Sequence, residues 1–365
     1  MNRLNVGIIG TGGVGYRLCK GIKDFPFVKL HSICEINDQK RKIICEEFNI
    51  KGYSDYREFL ENREIDVVYV GTPNYLHAKI SIDALKKGKY VFCEKPLGLN
   101  REEIKEVIKA EKESGRYLQV DFEMRYSKMS KRIKDIIDNG EIGEVKNIYF
   151  IHCPGGSGFK KKEGDWRAEP MKVGGYYFEE GCHRLDIFRY WMNEEIEKVE
   201  AIPAPSLRGD NGWHRGYKEP VVTICFFPKG KIATLLTLQH RGVSNVLEPN
   251  MEQKLGHEYS ASIMASEGSI RADFWERYIQ IFRFEGENGY TNLDRTESYV
   301  GIPHYKLHHD SIGFFKDFCL RIIKGEKPFV EAYDSARTMA VVIACEESFK
   351  NHGKRIKVDY NFLDV

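Results

Sequence analysis

The fold turns on residues 4–21, LNVGIIGTGGVGYRLCKG. A short β-rich run, Leu4 to Ile9, leads into Gly10, Thr11, Gly12, Gly13, Val14 and Gly15, and a helical pattern follows. The six residues satisfy G-x-G-x-x-G. In that pattern Gly10 allows the tight turn, Gly12 lets a pyrophosphate approach the backbone, and Gly15 permits close helix–strand contact. Anionic oxygens then meet the free N–H groups and the positive dipole end of the helix. Glycines cluster in many ordinary turns, so the motif carries weight only because a strand precedes it and a helix follows. In that context it predicts a dinucleotide site.

The pattern continues outward. VKLHSICE (28–35), DVVYVG (66–71), KYVFCE (89–94) and RYLQVD (116–121) read as strands apolar on both faces. Helical stretches near 14–24, 38–47, 75–87 and 101–114 separate them. Such alternation predicts an α/β domain, a doubly wound parallel sheet of Rossmann type, over residues 1–122. From residue 123 the pattern changes. Helices near 126–138 and 173–192 flank a glycine-rich, charged loop at 154–172. Longer strands follow, VVTICFF (221–227), KIATLLTLQ (231–239), YSASIMA (259–265) and YIQIFRF (278–284). Residues 123–365 therefore predict an α+β domain with a large, mainly antiparallel sheet, closed by helices near 309–323 and 332–350.

Composition bounds the function. A chain of 365 residues exceeds the roughly 250–300 over which one core keeps growing. A net charge of +2 makes no electrostatic case for nucleic acid or an anionic membrane, and Lys160-Lys161-Lys162 reads as a solvated loop. Nine cysteines without a C-x-x-C pair point to a reducing cytoplasm. The glycine-studded N-terminus makes a poor signal-peptide core, and no apolar run is long enough to span a bilayer.

Strand ends carry the chemistry, because ligands of open α/β sheets sit beyond the carboxyl ends of the strands. Glu35 ends the second strand where an acid would bind ribose hydroxyls and repel a 2′-phosphate. It favours NAD over NADP, although Arg41 could welcome a phosphate. TPNYLH (72–77) follows the next strand and FCEKPLG (92–98) the one after. Thr72, Pro73, Asn74, His77, Glu94 and Lys95 are expected at the cofactor, with Lys95 toward its nicotinamide half.

The second constellation is GGYYFEEGCHRLD, residues 174–186. In a continuous helix Glu179, His183 and Asp186 would share one face. A histidine among acids can exchange protons near neutral pH, whereas a core histidine with solvated acids is the plainer alternative. No metal is expected: His257-Glu258 begins H-E-x-x-H but Ala261 ends it, and His304, His308 and His309 would form at most a partial site.

The glycine loop, TPNYLH, EKPLG, Arg125-Tyr126, GEIGEV (140–145), DWR (165–167) and GG…EEGCHRLD occur in an order that resembles the glucose–fructose oxidoreductase / inositol dehydrogenase / MocA (Gfo/Idh/MocA) family of NAD(P)-dependent oxidoreductases. The resemblance covers nearly the whole chain. It implies a Rossmann domain, an open-faced sheet domain that mediates homo-oligomerisation, and oxidation or reduction of a secondary hydroxyl of a sugar, polyol or glycoside. It also implies Lys95 and His183 as the catalytic pair, assisted by the acid one turn before the histidine. That acid is usually Asp, whereas this chain has Glu179, with Glu180 as the alternative, and Tyr176 stands where a glycine is common.

In the chemistry itself, a carbinol carbon loses hydride while its hydroxyl proton departs to a base. His183 suits the base and Lys95 the developing alkoxide, though the two could exchange roles. A nearby lysine charge would lower the histidine's pKa. Arg125, Trp166, Arg167, Tyr176 and Glu180 are expected around the substrate, with Tyr177 and Trp213 beside them. An aromatic loop would accommodate the aglycone of a glucoside oxidised at its 3-hydroxyl. The competing readings are a dinucleotide-sensing regulator of the same fold, which needs neither Lys95 nor His183, and an imine or enone reductase.

Overall fold

The apolar runs pair as expected. β1 (Leu4–Ile9), β2 (Val28–Cys34), β3 (Lys51–Tyr53), β4 (Val67–Val70), β5 (Tyr90–Cys93) and β6 (Leu118–Val120) form one sheet in the order β3-β2-β1-β4-β5-β6. Every pairing in it is parallel. That is the doubly wound dinucleotide-binding order, which reverses direction between β1 and β4. The crossovers carry α1 (Gly13–Ile22), α2 (Asp38–Phe48), α3 (Tyr56–Leu60), α4 (His77–Lys86) and α5 (Arg101–Ser114). Asn100 caps α5 by accepting from the Glu103 N–H, and Gly115 ends it at φ 62°, so this helix spans the length its pattern predicts. The computed structural model describes residues 3–154, 165–203, 220–237, 257–285 and 290–364.

After β6 come two helices broken at Ser127, α6 (Glu123–Tyr126) and α7 (Lys128–Asp138). Then follow β7 (Val145–Pro154), α8 (Pro170–Val173), α9 (Cys182–Met192), β8 (Lys198–Pro203), β9 (Pro220–Phe226), β10 (Ile232–Thr237), β11 (His257–Ala265), β12 (Gly268–Asp273), β13 (Tyr278–Glu285) and β14 (Tyr290–Ser298). α10 (His304–His308), α11 (Ser311–Lys324), α12 (Ala332–Lys350) and β15 (Ile356–Lys357) close the chain. The second sheet runs β14-β13-β12-β11-β7-β10-β9-β8-β15. It is antiparallel except where β10 lies parallel to β7 at its centre.

One face of this sheet is core: Ile148, Phe150, Ala233, Leu235, Ile263 and Ile279 are buried, and Trp191 of α9 stacks on Phe150. The alternate residues Tyr149, Met264, Phe284 and Leu293 stay exposed. α11 returns to the first sheet. Its Phe314, Phe315 and Phe318 join Val6, Ile8, Tyr69 and Phe92 in a single apolar cluster. The chain passes from one sheet to the other between β6 and β7, and packing crosses between them.

The helix expected over 173–192 does not run unbroken. Gly174 and Gly175 take φ of 88° and 111°, ending α8, and a turn of π-helix over Tyr177–Gly181 precedes α9. A Cβ on Gly175 would lie 2.5 Å from Oε1 of Glu346, so this glycine is required by close approach as well as by its φ.

Candidate active site

The carboxyl edge of the parallel sheet collects the residues of interest. At the end of β1, Gly10 sits at φ 87°, and a Cβ on Gly15 would meet Gly10 O at 2.1 Å. Gly12 and Gly13 face open space, with no atom within 4 Å of an added Cβ. No side chain caps α1, so its first N–H groups and this bare backbone suit a pyrophosphate. Glu35, at the end of β2, accepts from Thr11 Oγ1 (2.6 Å) and from the Asn37 N–H (3.0 Å), and lies 3.2 Å from Lys40 Nζ. Burial opposes its charge, but these donors outweigh it and hold the carboxyl below its usual range. Arg41, the candidate for a 2′-phosphate, donates to the Glu35 carbonyl and to Asp38 instead.

Two loops follow. Pro73 and Asn74 come after β4, and Asn74 donates from Nδ2 both to Val173 O (3.0 Å) and to Glu179 Oε2 (2.9 Å), tying the parallel sheet to the second domain. Thr72 Oγ1 is buried without a hydrogen-bond partner among the described residues. His77 departs from expectation. It is buried, and its ring nitrogens lie 2.8 and 2.7 Å from Pro96 O and Thr72 O. It therefore clamps the two strand-end loops together and offers no ring nitrogen to a cofactor.

Glu94 accepts from Tyr69 OH at 2.6 Å. Beside it, Asp121 at the end of β6 is held well above the usual carboxylate range by burial and by the charges of Glu94 and Glu123. Lys95 reaches across the domains. Its Nζ donates to the Glu179 carbonyl at 2.5 Å and lies 3.8 Å from Glu179 Oε2. Burial is the largest single influence and works against the ammonium, but Glu179 together with Glu180 and Glu94 outweighs it and raises the lysine's pKa.

Glu179 is 3% exposed. Besides Asn74 and Lys95 it faces Arg167, whose Nε donates to Oε1 at 2.9 Å. Arg167 stacks on Trp166 with its guanidinium 4.2 Å from the ring centroid. His183, 5% exposed, turns Nδ1 toward Glu123 Oε2 at 3.3 Å. Burial is the largest influence on His183 and lowers its pKa. Glu123 pulls the other way, and Lys95 adds a smaller lowering push, so the lysine is not the main cause the sequence suggested.

Three further expectations are corrected. Asp186 lies one turn on from His183 in α9, but its carboxylate is not a partner of the histidine. It is fully buried and accepts from Arg125 Nε and Nη2, each at 2.6 Å, and from Thr338 Oγ1. Arg125 also donates to Asp334, so its guanidinium is committed to internal carboxylates and is unavailable to a substrate. Tyr176 is 1% exposed and its hydroxyl pairs with Thr237 Oγ1 at 3.0 Å, with Tyr177 packed edge-on beside it; both rings are core. Glu180 is partly exposed and lies 3.4 Å from Arg184 Nη1.

Sequence reasoning missed Glu123 and left His309 unassigned except as part of a metal site. Glu123 faces His183 directly, and His309 meets both Glu123 Oε1 and, edge-on with ring centroids 5.6 Å apart, the His183 ring. The available signal was an acid three residues beyond the end of β6, at the edge where ligands bind. No group of three or more His, Cys, Asp or Glu arranged to hold a metal occurs among the described residues. Trp213 and Lys160-Lys161-Lys162, and the side chains of His257, Glu258 and His304, lie outside them.

Comparison with known proteins identifies the family. Residues 4–122 match the oxidoreductase family's NAD-binding Rossmann fold, and residues 134–358 match its C-terminal alpha/beta domain. Similar curated proteins include scyllo-inositol 2-dehydrogenase (NAD(+)) of Bacillus subtilis, 28% identical over 98% of this chain and 97% of that one. Another is myo-inositol 2-dehydrogenase of Thermotoga maritima, 23% identical over 95% and 96%. Among solved structures, levoglucosan dehydrogenase in complex with NADH superposes with a TM-score of 0.81 at 21% identity, covering 98% of this chain and all of the other. The chain belongs to the Gfo/Idh/MocA oxidoreductase family, and its N-terminal domain is an NAD-binding Rossmann domain.

Proposed function

We propose that this family member transfers hydride between NAD and a secondary hydroxyl of a sugar, polyol or glycoside. The observation that carries the reading is the meeting of Lys95 and Glu179, from different domains, next to His183 at the carboxyl edge of the parallel sheet. Bound nicotinamide supplies the hydride acceptor. His183, kept neutral by burial, takes the hydroxyl proton. Lys95, kept charged by Glu179, holds the oxygen as negative charge develops on it. Gly10 to Gly15 and Glu35 receive the cofactor, with Thr72, Pro73, Asn74 and Glu94 along its course. In this reading residues 1–122 form the cofactor domain and 123–365 the substrate and assembly domain.

The substrate class comes from the relatives named above and from the polar, partly aromatic surround. The Trp166 ring with Arg167 beside Glu179 offers one apolar face and hydroxyl-directed charges, which suits a sugar ring. Oxidation of a glucoside at its 3-hydroxyl is the finer reading within this class. Eight described cysteines are free thiols, in keeping with a reducing cytoplasm. No helix among the described residues is long and apolar enough to cross a membrane. The exposed apolar face of the second sheet suits assembly with further copies of the chain.

Reduced-nicotinamide absorbance over a panel of inositols, free sugars and glycosides tests the reading. Turnover with at least one class is expected. NAD binding without turnover on any of them would favour the sensor. Activity confined to imines or enones would favour the reductase.

A further inference from the structure

A carboxylate beside His183 would set its tautomer, and neither acid singled out from the sequence stands there. Glu179 directs its carboxylate to Asn74, Arg167 and Lys95, while Asp186 is held by Arg125 and Thr338. The acid facing the ring comes instead from α6. Glu123 is 4% exposed, and its Oε2 lies 3.3 Å from His183 Nδ1. Its Oε1 is met by Nδ1 of His309, whose side chain is 36% exposed. A buried carboxylate is costly unless paired, and here two imidazoles from distant parts of the chain supply the pairing.

We propose that Glu123 is the positioning residue of His183, and that His309 anchors Glu123 from the solvent side. The inference rests on the proposed role of His183 as proton acceptor. The 3.3 Å approach is an ion-pair distance, and neither Nδ1 nor Oε2 has a hydrogen bond of good geometry among the described residues, so their pairing is with each other. With the proton on Nδ1, facing Glu123, the lone pair of His183 resides on Nε2, the nitrogen left to take the hydroxyl proton. The imidazolium formed in that step then lies against a carboxylate, which favours it. The groups facing His183 are Glu123 of α6, Lys95 after β5 and His309 after α10; those facing Glu123 are the two histidines and Asp121. Glu123 and His309 therefore act on His183 in opposite senses, the first favouring and the second disfavouring its protonated form.

The test is a histidine-selective nitrogen NMR titration of the full chain, with the His183 signal identified by its loss in His183→Asn. This measures the ring without any substrate. In the unmodified protein His183 should carry its proton on Nδ1. Glu123→Gln, nearly isosteric, should lower its midpoint by about one unit or more. Glu123→Asp should restore part of that shift, and His309→Gln should raise the midpoint. An unchanged midpoint and tautomer in folded Glu123→Gln would overturn the proposal. On any substrate found active, kcat should fall about 10²-fold or more in Glu123→Gln. The acidic limb of kcat/KM should move to lower pH there and to higher pH in His309→Gln. A purely structural role would lower activity without moving the limb in opposite directions. If the NMR shifts occur as stated but no polyol or sugar is turned over, the functional reading fails and the Glu123–His183 relationship stands.

Discussion

Lys95 Nζ donates to the main-chain carbonyl of Glu179 at 2.5 Å. This bond joins the end of a parallel strand to the π-helical turn that delivers His183, so one side chain registers the two domains against each other. An ammonium held this way is both charged and fixed in place, which is what stabilisation of a developing alkoxide requires.

Replacing either member of the pair should separate binding from turnover. Lys95→Ala and His183→Asn are expected to bind NAD almost normally, because the pyrophosphate and ribose contacts lie at Gly10–Gly15 and Glu35. Turnover should fall about 10²–10⁴-fold. Lys95→Arg should rescue little, since a planar guanidinium is larger than the ammonium it replaces. Cofactor titration alongside steady-state kinetics checks both; near-normal turnover in Lys95→Ala and His183→Asn would remove the assignment.

Cofactor choice should rest on Glu35. Calorimetric titration is expected to find NAD bound more tightly than NADP, and Glu35→Ser should shrink the difference. Arg41 is occupied by Asp38 and the Glu35 carbonyl, so it should not create strong NADP binding in the native protein. Equal affinities before and after the substitution would exclude Glu35 from the ribose site.

Glu179 should matter for stability as well as turnover. It is buried with Asn74, Arg167 and Lys95 around it, and Glu179→Gln leaves the lysine without its counter-charge. A loss of about 1–3 kcal/mol is expected on urea unfolding. Glu179→Asp retains the charge but shortens the reach, so it should lose less stability than Gln and still lower turnover. No change in either variant would make Glu179 a bystander.

The pH dependence of stability follows from the sign of the His183 shift. Its folded pKa is depressed, chiefly by burial, so the unfolded chain binds the proton more readily. This contribution is fully present above the ordinary histidine pKa of about 6.5 and is lost as pH falls from there through the folded value. Thermal melts between neutral and mildly acidic pH should show a steeper fall in Tm for the native protein than for His183→Asn. Parallel curves would count against a buried neutral imidazole.

Association should use the open face of the second sheet. Tyr149 is 47% exposed and Leu293 52%, on a face where Met264 and Phe284 are also uncovered. Light scattering at micromolar concentration is expected to give a mass above the single chain's 42.3 kDa. Tyr149→Lys or Leu293→Lys should shift it downward by placing unpaired charge in the apolar contact. A single-chain mass for the native protein would refute this.

The dinucleotide half was legible because its constraints act locally. A strand, a glycine turn and a helix start are written within residues 4–22, and Gly15 admits no side chain because Gly10 O lies where a Cβ would go. Lys95 and His183, the residues of the proposed chemistry, could be singled out for a similar reason, each standing at a marked place in a short motif. Glu123 carried no such mark. It opens a helix too short to have a period, and its contact with His309 spans 186 residues.

What the sequence by itself determined, then, was the parallel sheet with its cofactor loop, the mainly antiparallel second sheet, and the two residues on which the chemistry is proposed to turn. Backbone periodicity, strand-end position and glycine geometry depend on near neighbours in the chain, and so they can be read there. Tertiary structure alone decided which charges meet. Arg125 was expected at the substrate and instead closes on Asp186, 61 residues away; His77 became a clamp, Tyr176 a core ring, and Glu123 the acid that faces His183. A buried charge must be paired wherever packing brings a partner, and spacing along the chain carries no record of that encounter.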